Sequence, residues 1–198
     1  MLALDKVGVY GMSAGGHTAL SPVGGRWSPA LFRDHCVADL AEDFHSCVGL
    51  ITRQTGGAFD VVKRTVPRAL TRWRFGDERL RSDADPRIAA IVAGVPAAAD
   101  FDLASLVTPR VPLGLVTARQ DLWLVPRFHG DRVLRACKTC DHLADLPTGG
   151  HGALLSPPPP HLDGLVGYLL NDPPGFDRSE MAGVDREIVA FFERHLGS

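Results

Sequence analysis

Runs of apolar residues along the chain predict the strands of a buried sheet. A short run with β-branched residues, Val7 to Tyr10, comes first, and nearly continuous runs follow at Ile88 to Val95 and Pro112 to Thr117. Continuous apolar residues, rather than alternating ones, are typical of strands covered on both faces of a parallel sheet. His142 to Leu146 is predicted as a further short strand.

Helices are predicted between these strands. The residues after Ser13 suit a helix that ends near Pro22 to Gly25, because proline and glycine interrupt helices. Asp131 to Lys138 is predicted as a second helix, and Val184 to Leu196 as the last one, with its apolar side chains along one stripe. This alternation predicts an α/β fold with a mostly parallel sheet flanked by helices.

Between residues 25 and 86 the apolar pattern is looser. Two amphipathic pieces, Ala38 to Val48 and Phe59 to Arg72, lie on either side of Gly56-Gly57. We therefore predict a helical insertion (25–86) within a single domain that covers residues 1–198. The arginines of this region are interpreted as a solvated face. They are Arg68, Arg72, Arg74, Arg79 and Arg81.

Composition narrows the classes of function. The chain has 198 residues and a formal net charge of −2. This is long enough for one domain with a core. The net charge does not indicate binding to nucleic acid or to an acidic membrane. No apolar run is long enough to span a bilayer, and no signal peptide is visible. The localisation stays open between the cytoplasm and export.

The strongest chemical signal follows the first predicted strand. Residues 11–15, GMSAG, fit G-x-S-x-G, the pattern of a nucleophile elbow. Ser13 would lie on a sharp strand-to-helix turn near positive φ, where side chains two positions before and after are expected to collide with the turn. The N–H of Ala14, at the start of the helix, is placed to stabilise an oxyanion. Gly16 and Ala19 allow that helix to pack closely on the sheet. The alternative is an ordinary βα turn with a solvated serine.

A serine nucleophile requires a base and a group that orients the base. On an open parallel sheet such groups lie on loops at the carboxyl ends of strands. Asp121 and His151 both occupy such positions, and the order Ser13, Asp121, His151 is that of the α/β-hydrolases. We therefore predict these three residues as the catalytic set.

Other acids and histidines are alternatives. Asp100 and Asp102 follow the Ile88 to Val95 strand, where some hydrolases place the acid. His17 lies four residues after Ser13 on the same predicted helix and faces away from the reaction centre, so packing below the elbow is its expected role. The remaining histidines that we considered are less well placed than His151; they are His129, His142 and His161.

The four cysteines are expected to be structural or buried thiols. Only Cys137 and Cys140 are closely spaced, whereas a zinc site usually needs two such pairs, so no metal is predicted. A disulfide between Cys36 and Cys47 is the alternative, and it would suit an exported protein.

Several segments spread over most of the chain resemble one family. They are residues 11–20 (GMSAGGHTAL), Gln120-Asp121 with Val125-Pro126, His151 with Leu154-Leu155 and Pro157, residues 172–178 (DPPGFDR), and Phe191-Phe192. Together they look like the predicted dienelactone-hydrolase family, which is related to the esterase and platelet-activating-factor acetylhydrolase branch of the α/β-hydrolases. The resemblance implies hydrolysis of a small-molecule ester or lactone through an acyl-enzyme, without a cofactor. Ser13 would be the nucleophile, His151 the base and then the acid, and Asp121 the residue that orients His151.

One departure from the family concerns the position of the elbow. In the family the elbow lies in the middle of the chain, whereas only six residues precede Val7 here. We therefore expect an N-terminally incomplete hydrolase that lacks the second oxyanion donor and turns over slowly. Its first strand would be an exposed apolar edge through which the chain self-associates. A non-catalytic remnant that acts as a binding or assembly module is the alternative function.

Overall fold

The computed structural model describes residues 4–197. Its strands are β1 (Val7–Met12), β2 (Arg26–Trp27), β3 (Ile88–Gly94), β4 (Phe101–Asp102), β5 (Leu113–Ala118) and β6 (Asp141–Leu146). Its α-helices are α1 (Ala14–Leu20), α2 (Pro29–Asp39), α3 (Phe44–Val48), α4 (Asp60–Arg74), α5 (Gly130–Ala136), α6 (Gly164–Leu170) and α7 (Met181–Leu196). None of the described helices is both long and apolar enough to cross a membrane.

Four strands form a parallel sheet in the order β1-β3-β5-β6. Every residue of β5 is buried, as are the last five residues of β3, because helices cover both faces of the sheet. The prediction of a mostly parallel sheet flanked by helices is therefore confirmed. Within residues 4–197, β1 pairs with β3 alone and forms one edge of this sheet.

Helices on the two faces of the sheet create two layers of core. On one face, Leu20 of α1 and Val133 of α5 pack with inward side chains such as Ile91 of β3. On the other face, Phe191 of α7 packs with Val92 of the same strand. Because successive strand residues point to opposite faces, one apolar run supplies both layers.

The segment from β2 to α4 lies outside the parallel sheet. Strand β2 pairs instead with β4, antiparallel. The amphipathic stretch Ala38 to Val48 is interrupted, since α2 ends at Asp39 and α3 begins at Phe44. The helix α6 was not predicted from the sequence.

This interruption explains the first of two disulfides. A continuous helix would separate Cys36 and Cys47 by roughly 16 Å along its axis. The break folds α3 back, so that their Cα atoms are 5.7 Å apart and a disulfide joins them. Cys137 and Cys140 form the second disulfide. The expectation of buried thiols is therefore wrong for both pairs, and for Cys36 and Cys47 the structure has the disulfide named as the alternative.

Candidate active site

The carboxyl ends of the parallel strands bring together Ser13, Asp121 and His151. Ser13 directly follows β1, Asp121 lies three residues after β5, and His151 begins a short 3₁₀ helix after β6. The loops that carry the last two are joined by the backbone, because the N–H of Gln120 donates to the carbonyl of Gly149 at 2.9 Å. Parallel strands place all these loops at one edge of the sheet.

The three side chains form a hydrogen-bonded chain. His151 Nδ1 lies 2.7 Å from Asp121 Oδ2, and His151 Nε2 lies 2.9 Å from Ser13 Oγ. An ionised carboxylate only accepts hydrogen bonds, so Nδ1 carries the proton and Nε2 accepts from the serine hydroxyl. His151 and Asp121 are almost fully buried, which shields both hydrogen bonds from water.

Asp121 is itself held by its own loop. Its second carboxylate oxygen, Oδ1, accepts the backbone N–H groups of Trp123 and Leu124, each at 2.8 Å. The indole of Trp123 packs on the imidazole of His151 with ring centroids 5.1 Å apart. The orientation of the carboxylate and of the imidazole is therefore fixed by contacts within the same few residues.

The turn at Ser13 has the backbone expected of an elbow. Ser13 has φ 57° and ψ −117°, a conformation that costs a non-glycine residue free energy. The turn is fastened to the end of β3 and to the loop after it, because the Ser13 N–H donates to the carbonyl of Gly94 and the Ala97 N–H donates to the Ser13 carbonyl. The N–H of Ala14 belongs to the first turn of α1, where it has no intrahelical acceptor.

The glycines around Ser13 differ in how much room a side chain would have at each position. A Cβ on Gly11 would lie 2.2 Å from the carbonyl oxygen of Gly15, and a Cβ on Gly16 would lie 2.8 Å from Pro96 Cα. A Cβ on Gly15 would meet nothing within 4 Å. The expected collision is therefore present at Gly11 and absent at Gly15, because α1 carries residue 15 away from the sheet.

A cavity of about 230 Å³ opens beside Ser13. Its apolar wall is formed by Phe32, Ala97, Ala99, Trp123 and Leu124. Its polar lining is formed by His17, Ser46, Asp100 and His129. The structure therefore places a serine hydroxyl, hydrogen-bonded to an imidazole, next to a small, partly apolar space.

The alternative acids have other partners. Asp100 Oδ2 accepts from His17 Nε2 at 2.9 Å, and the His17 ring packs between Trp27 and Phe101. Asp102 pairs with Arg26. The structure thus places Asp121, and neither Asp100 nor Asp102, beside His151. Of the alternative histidines, His142 Nε2 is bonded to a threonine hydroxyl. His129 lines the cavity, but its Nε2 is paired with Asp43.

A second buried network adjoins the site and was not predicted from the sequence. Asp43 Oδ2 accepts from His35 Nε2 and His129 Nε2, both at 2.8 Å. Its Oδ1 accepts the backbone N–H of Val125 at 3.1 Å. Burial opposes ionisation of Asp43, but the hydrogen bonds from the two histidines outweigh it and lower its pKa to about 2. Its partners are up to 86 residues away, so no local pattern reveals it.

The ligand atoms of His35, Asp43 and His129 lie within 4.8 Å of one another, which raises the question of a metal. His129 Nδ1 accepts the backbone N–H of Ala98 at 3.0 Å, so its proton is on Nε2 and points to Asp43. A metal ligand at Nε2 would need a lone pair there, and His129 would then carry no proton at all. The geometry therefore fits a hydrogen-bonded clamp rather than a metal centre.

Comparison of the chain with models of known protein families, with curated proteins and with solved structures found no match.

Proposed function

We propose that the protein is a serine hydrolase that cleaves carboxylic ester or lactone bonds through an acyl-enzyme. The observation that carries this proposal is the hydrogen-bonded chain from Asp121 through His151 to Ser13. The proposal takes the parallel sheet as part of an α/β-hydrolase fold of the dienelactone-hydrolase type. The order of the three residues and the backbone of Ser13 support it.

The first half of the reaction forms the acyl-enzyme. Ser13 Oγ attacks the carbonyl carbon while His151 Nε2 takes the hydroxyl proton. The negative charge that develops on the carbonyl oxygen is stabilised by the N–H of Ala14 and by the first turn of α1. When the bond to the alcohol breaks, the leaving oxygen receives the proton from His151.

The second half releases the acid. Water gives a proton to His151 Nε2 and attacks the acyl carbon, and His151 then returns that proton to Ser13 Oγ. Asp121 stays ionised throughout and stabilises the imidazolium that forms in each half. The cycle consumes one water and needs no cofactor.

The cavity supports a small substrate. Its volume of about 230 Å³ lies below the ~300–1,000 Å³ of pockets for drug-sized ligands. Its apolar wall fits a short hydrocarbon portion of an ester or lactone.

A fluorophosphonate probe tests the proposal, because it reacts covalently with an activated serine. We expect the wild-type protein to be labelled and the Ser13→Ala variant to remain unlabelled. Hydrolysis of p-nitrophenyl acetate should fall by about 10³-fold or more in the same variant.

Ser46 supplies the matched control, since it lines the same cavity but stands outside the hydrogen-bonded chain. Ser46→Ala should keep both labelling and hydrolysis. If the wild-type protein resisted the probe and left the ester intact, the non-catalytic alternative, a binding or assembly module, would replace this proposal.

A further inference from the structure

Helix α4 presents its apolar side chains to the outside of the molecule. Its buried side chains are polar, namely Asp60 and Thr71. Four large apolar side chains follow one another at helical spacing on the opposite side, each at least half exposed. They are Val62, Val66, Leu70 and Trp73. A helix that packs against its own core normally has the reverse orientation.

This apolar surface extends beyond the helix. Ile51 is 86% exposed and Phe59 is 79% exposed. A groove of about 540 Å³ runs between the apolar side chains of α4, Ile51 and the end of α3. We define the α4 face as Ile51, Phe59, Val62, Val66, Leu70 and Trp73. Contiguous apolar surface of this kind marks an interaction site rather than ordinary scatter.

The charge around the α4 face is strongly positive. Residues 50–75 contain six basic side chains and one acidic side chain, a net charge of +5, although the whole chain is at −2. The acidic residue, Asp60, is paired with Lys63. Four arginines of α4 form no ion pair with any acidic side chain in residues 4–197. They are Arg64, Arg68, Arg72 and Arg74.

We propose that the α4 face docks on the surface of an anionic lipid bilayer. An amphipathic helix with basic residues on its polar side and Trp or Leu on the other lies in the plane of a membrane interface. The apolar side chains enter the headgroup boundary, and each nearby arginine gains attraction to anionic lipids. This peripheral docking concerns where the protein binds, and it is independent of the proposed hydrolysis.

Charge and apolar character together argue against two other binding partners of the α4 face. A second copy of the chain would bring two segments (50–75) of net charge +5 together, and like charges oppose such an interface. The phosphates of a nucleic acid would bind the cationic side chains around the α4 face. They would leave the centre of the α4 face, which is aliphatic and aromatic, without an apolar partner. An anionic bilayer, with charged headgroups above an apolar interior, satisfies both features.

Vesicle flotation of the full chain tests the proposal. Vesicles of phosphatidylglycerol mixed with phosphatidylcholine should bind the protein, and phosphatidylcholine alone should bind it at least tenfold more weakly. Trp73→Gln and Leu70→Gln should each weaken binding about tenfold, and Arg72→Gln about fivefold. Val189→Gln and Arg186→Gln on the exposed side of α7 are the matched controls and should bind as the wild type.

Several results would overturn the docking. They are equal binding to both kinds of vesicle, binding that survives Trp73→Gln and Leu70→Gln, and an affinity for a DNA duplex that equals the affinity for the anionic vesicles. Sizing chromatography provides one more. A dimer that Trp73→Gln converts to a monomer would assign the α4 face to a second copy of the chain.

Discussion

At the scale of single residues, the chemistry of the site depends on which nitrogen of His151 carries the proton. Asp121 Oδ2, 2.7 Å from Nδ1, keeps the proton there and leaves Nε2 free to accept from Ser13. The other oxygen of Asp121 is occupied by two backbone N–H groups. The carboxylate therefore has separate oxygens for holding its loop and for orienting the base.

Asp121→Asn separates these two tasks. The amide oxygen of asparagine can still accept from Trp123 and Leu124, so we expect the loop and the free energy of unfolding to change little. Its NH₂ group would face His151 Nδ1 and donate to it, which moves the imidazole proton to Nε2 and blocks proton transfer from Ser13. We expect kcat/KM for ester hydrolysis to fall by roughly 10³–10⁴-fold, measured alongside urea unfolding.

Asp100→Asn is the control, because Asp100 lines the same cavity but pairs with His17. Its kcat/KM should stay within about tenfold of the wild type, since it lacks contact with the base. A larger loss in Asp100→Asn than in Asp121→Asn would reverse the assignment of the acid.

At the scale of elements, α1 packs on the sheet through one of two adjacent glycines. A Cβ at residue 16 would press on the backbone of Pro96, whereas a Cβ at residue 15 would meet open space. We expect Gly16→Ala to lower the free energy of unfolding by about 1–3 kcal/mol through overpacking. Gly15→Ala should raise it by up to ~1 kcal/mol, because alanine favours a helix over glycine.

Urea unfolding of the two variants measures this difference. The substitutions are chemically identical and one position apart, so each is the control of the other. Equal destabilisation by both would show that residue 15 is also confined, as the sequence motif alone had led us to expect.

The second network joins elements that are distant in sequence. Asp43, between α2 and α3, binds His129 before α5 and the backbone of Val125. It thereby fixes the segment between α2 and α3 to the loop that follows Asp121. The break between α2 and α3 lets the carboxylate turn inward to these partners.

Asp43→Asn should weaken this attachment. An asparagine side chain has one acceptor oxygen, so it cannot accept from the two histidines and from the N–H of Val125 as the carboxylate does. We therefore expect a loss of about 2–4 kcal/mol in the free energy of unfolding at pH 7. The lowered pKa adds a pH dependence. Folding lowers the pKa of Asp43 from 3.8 to about 2, so its stabilisation is present above about pH 4 and is lost as the pH falls toward 2.

Urea unfolding between pH 7 and the lowest pH at which the protein stays folded checks this sign. The difference between wild type and Asp43→Asn should be constant near neutrality and shrink below about pH 4. Asp39→Asn, a more exposed neighbour of His35, should change stability by less than about 1 kcal/mol. A difference that grows on acidification would contradict the pKa shift.

At the scale of the whole molecule, the sequence predicted features that depend on local pattern. Strands β3 and β5 lie within one or two residues of their apolar runs, because burial on both faces leaves little choice of residue type. Ser13, Asp121 and His151 could be singled out because each follows the carboxyl end of a strand. Parallel strands then bring such positions together.

Features that depend on distant contacts could not be predicted. The Asp43 clamp and the break before α3 arise from residues that meet only in the folded chain. The disulfide of Cys36 with Cys47 could be named only as an alternative, because the break that brings the two residues together was not predicted. The outward orientation of α4 has the same origin. Its periodicity predicts an amphipathic helix, but only the packing shows that the polar side faces inward.

The orientation of α4 predicts an uneven distribution of stability. In residues 4–197, β5 is buried throughout, whereas α4 buries only Asp60 and Thr71. Helix α7 is the matched comparison, with 16 residues against 15 in α4, and it buries Phe191 and Val184 against the sheet.

Since segments with few buried apolar contacts open locally, we expect α4 amides to exchange with deuterium at least ~100-fold faster than those of β5 and faster than those of α7. Hydrogen exchange with mass spectrometry measures all three segments in one sample. Protection of α4 equal to that of α7 would mean that the α4 face is already covered in solution.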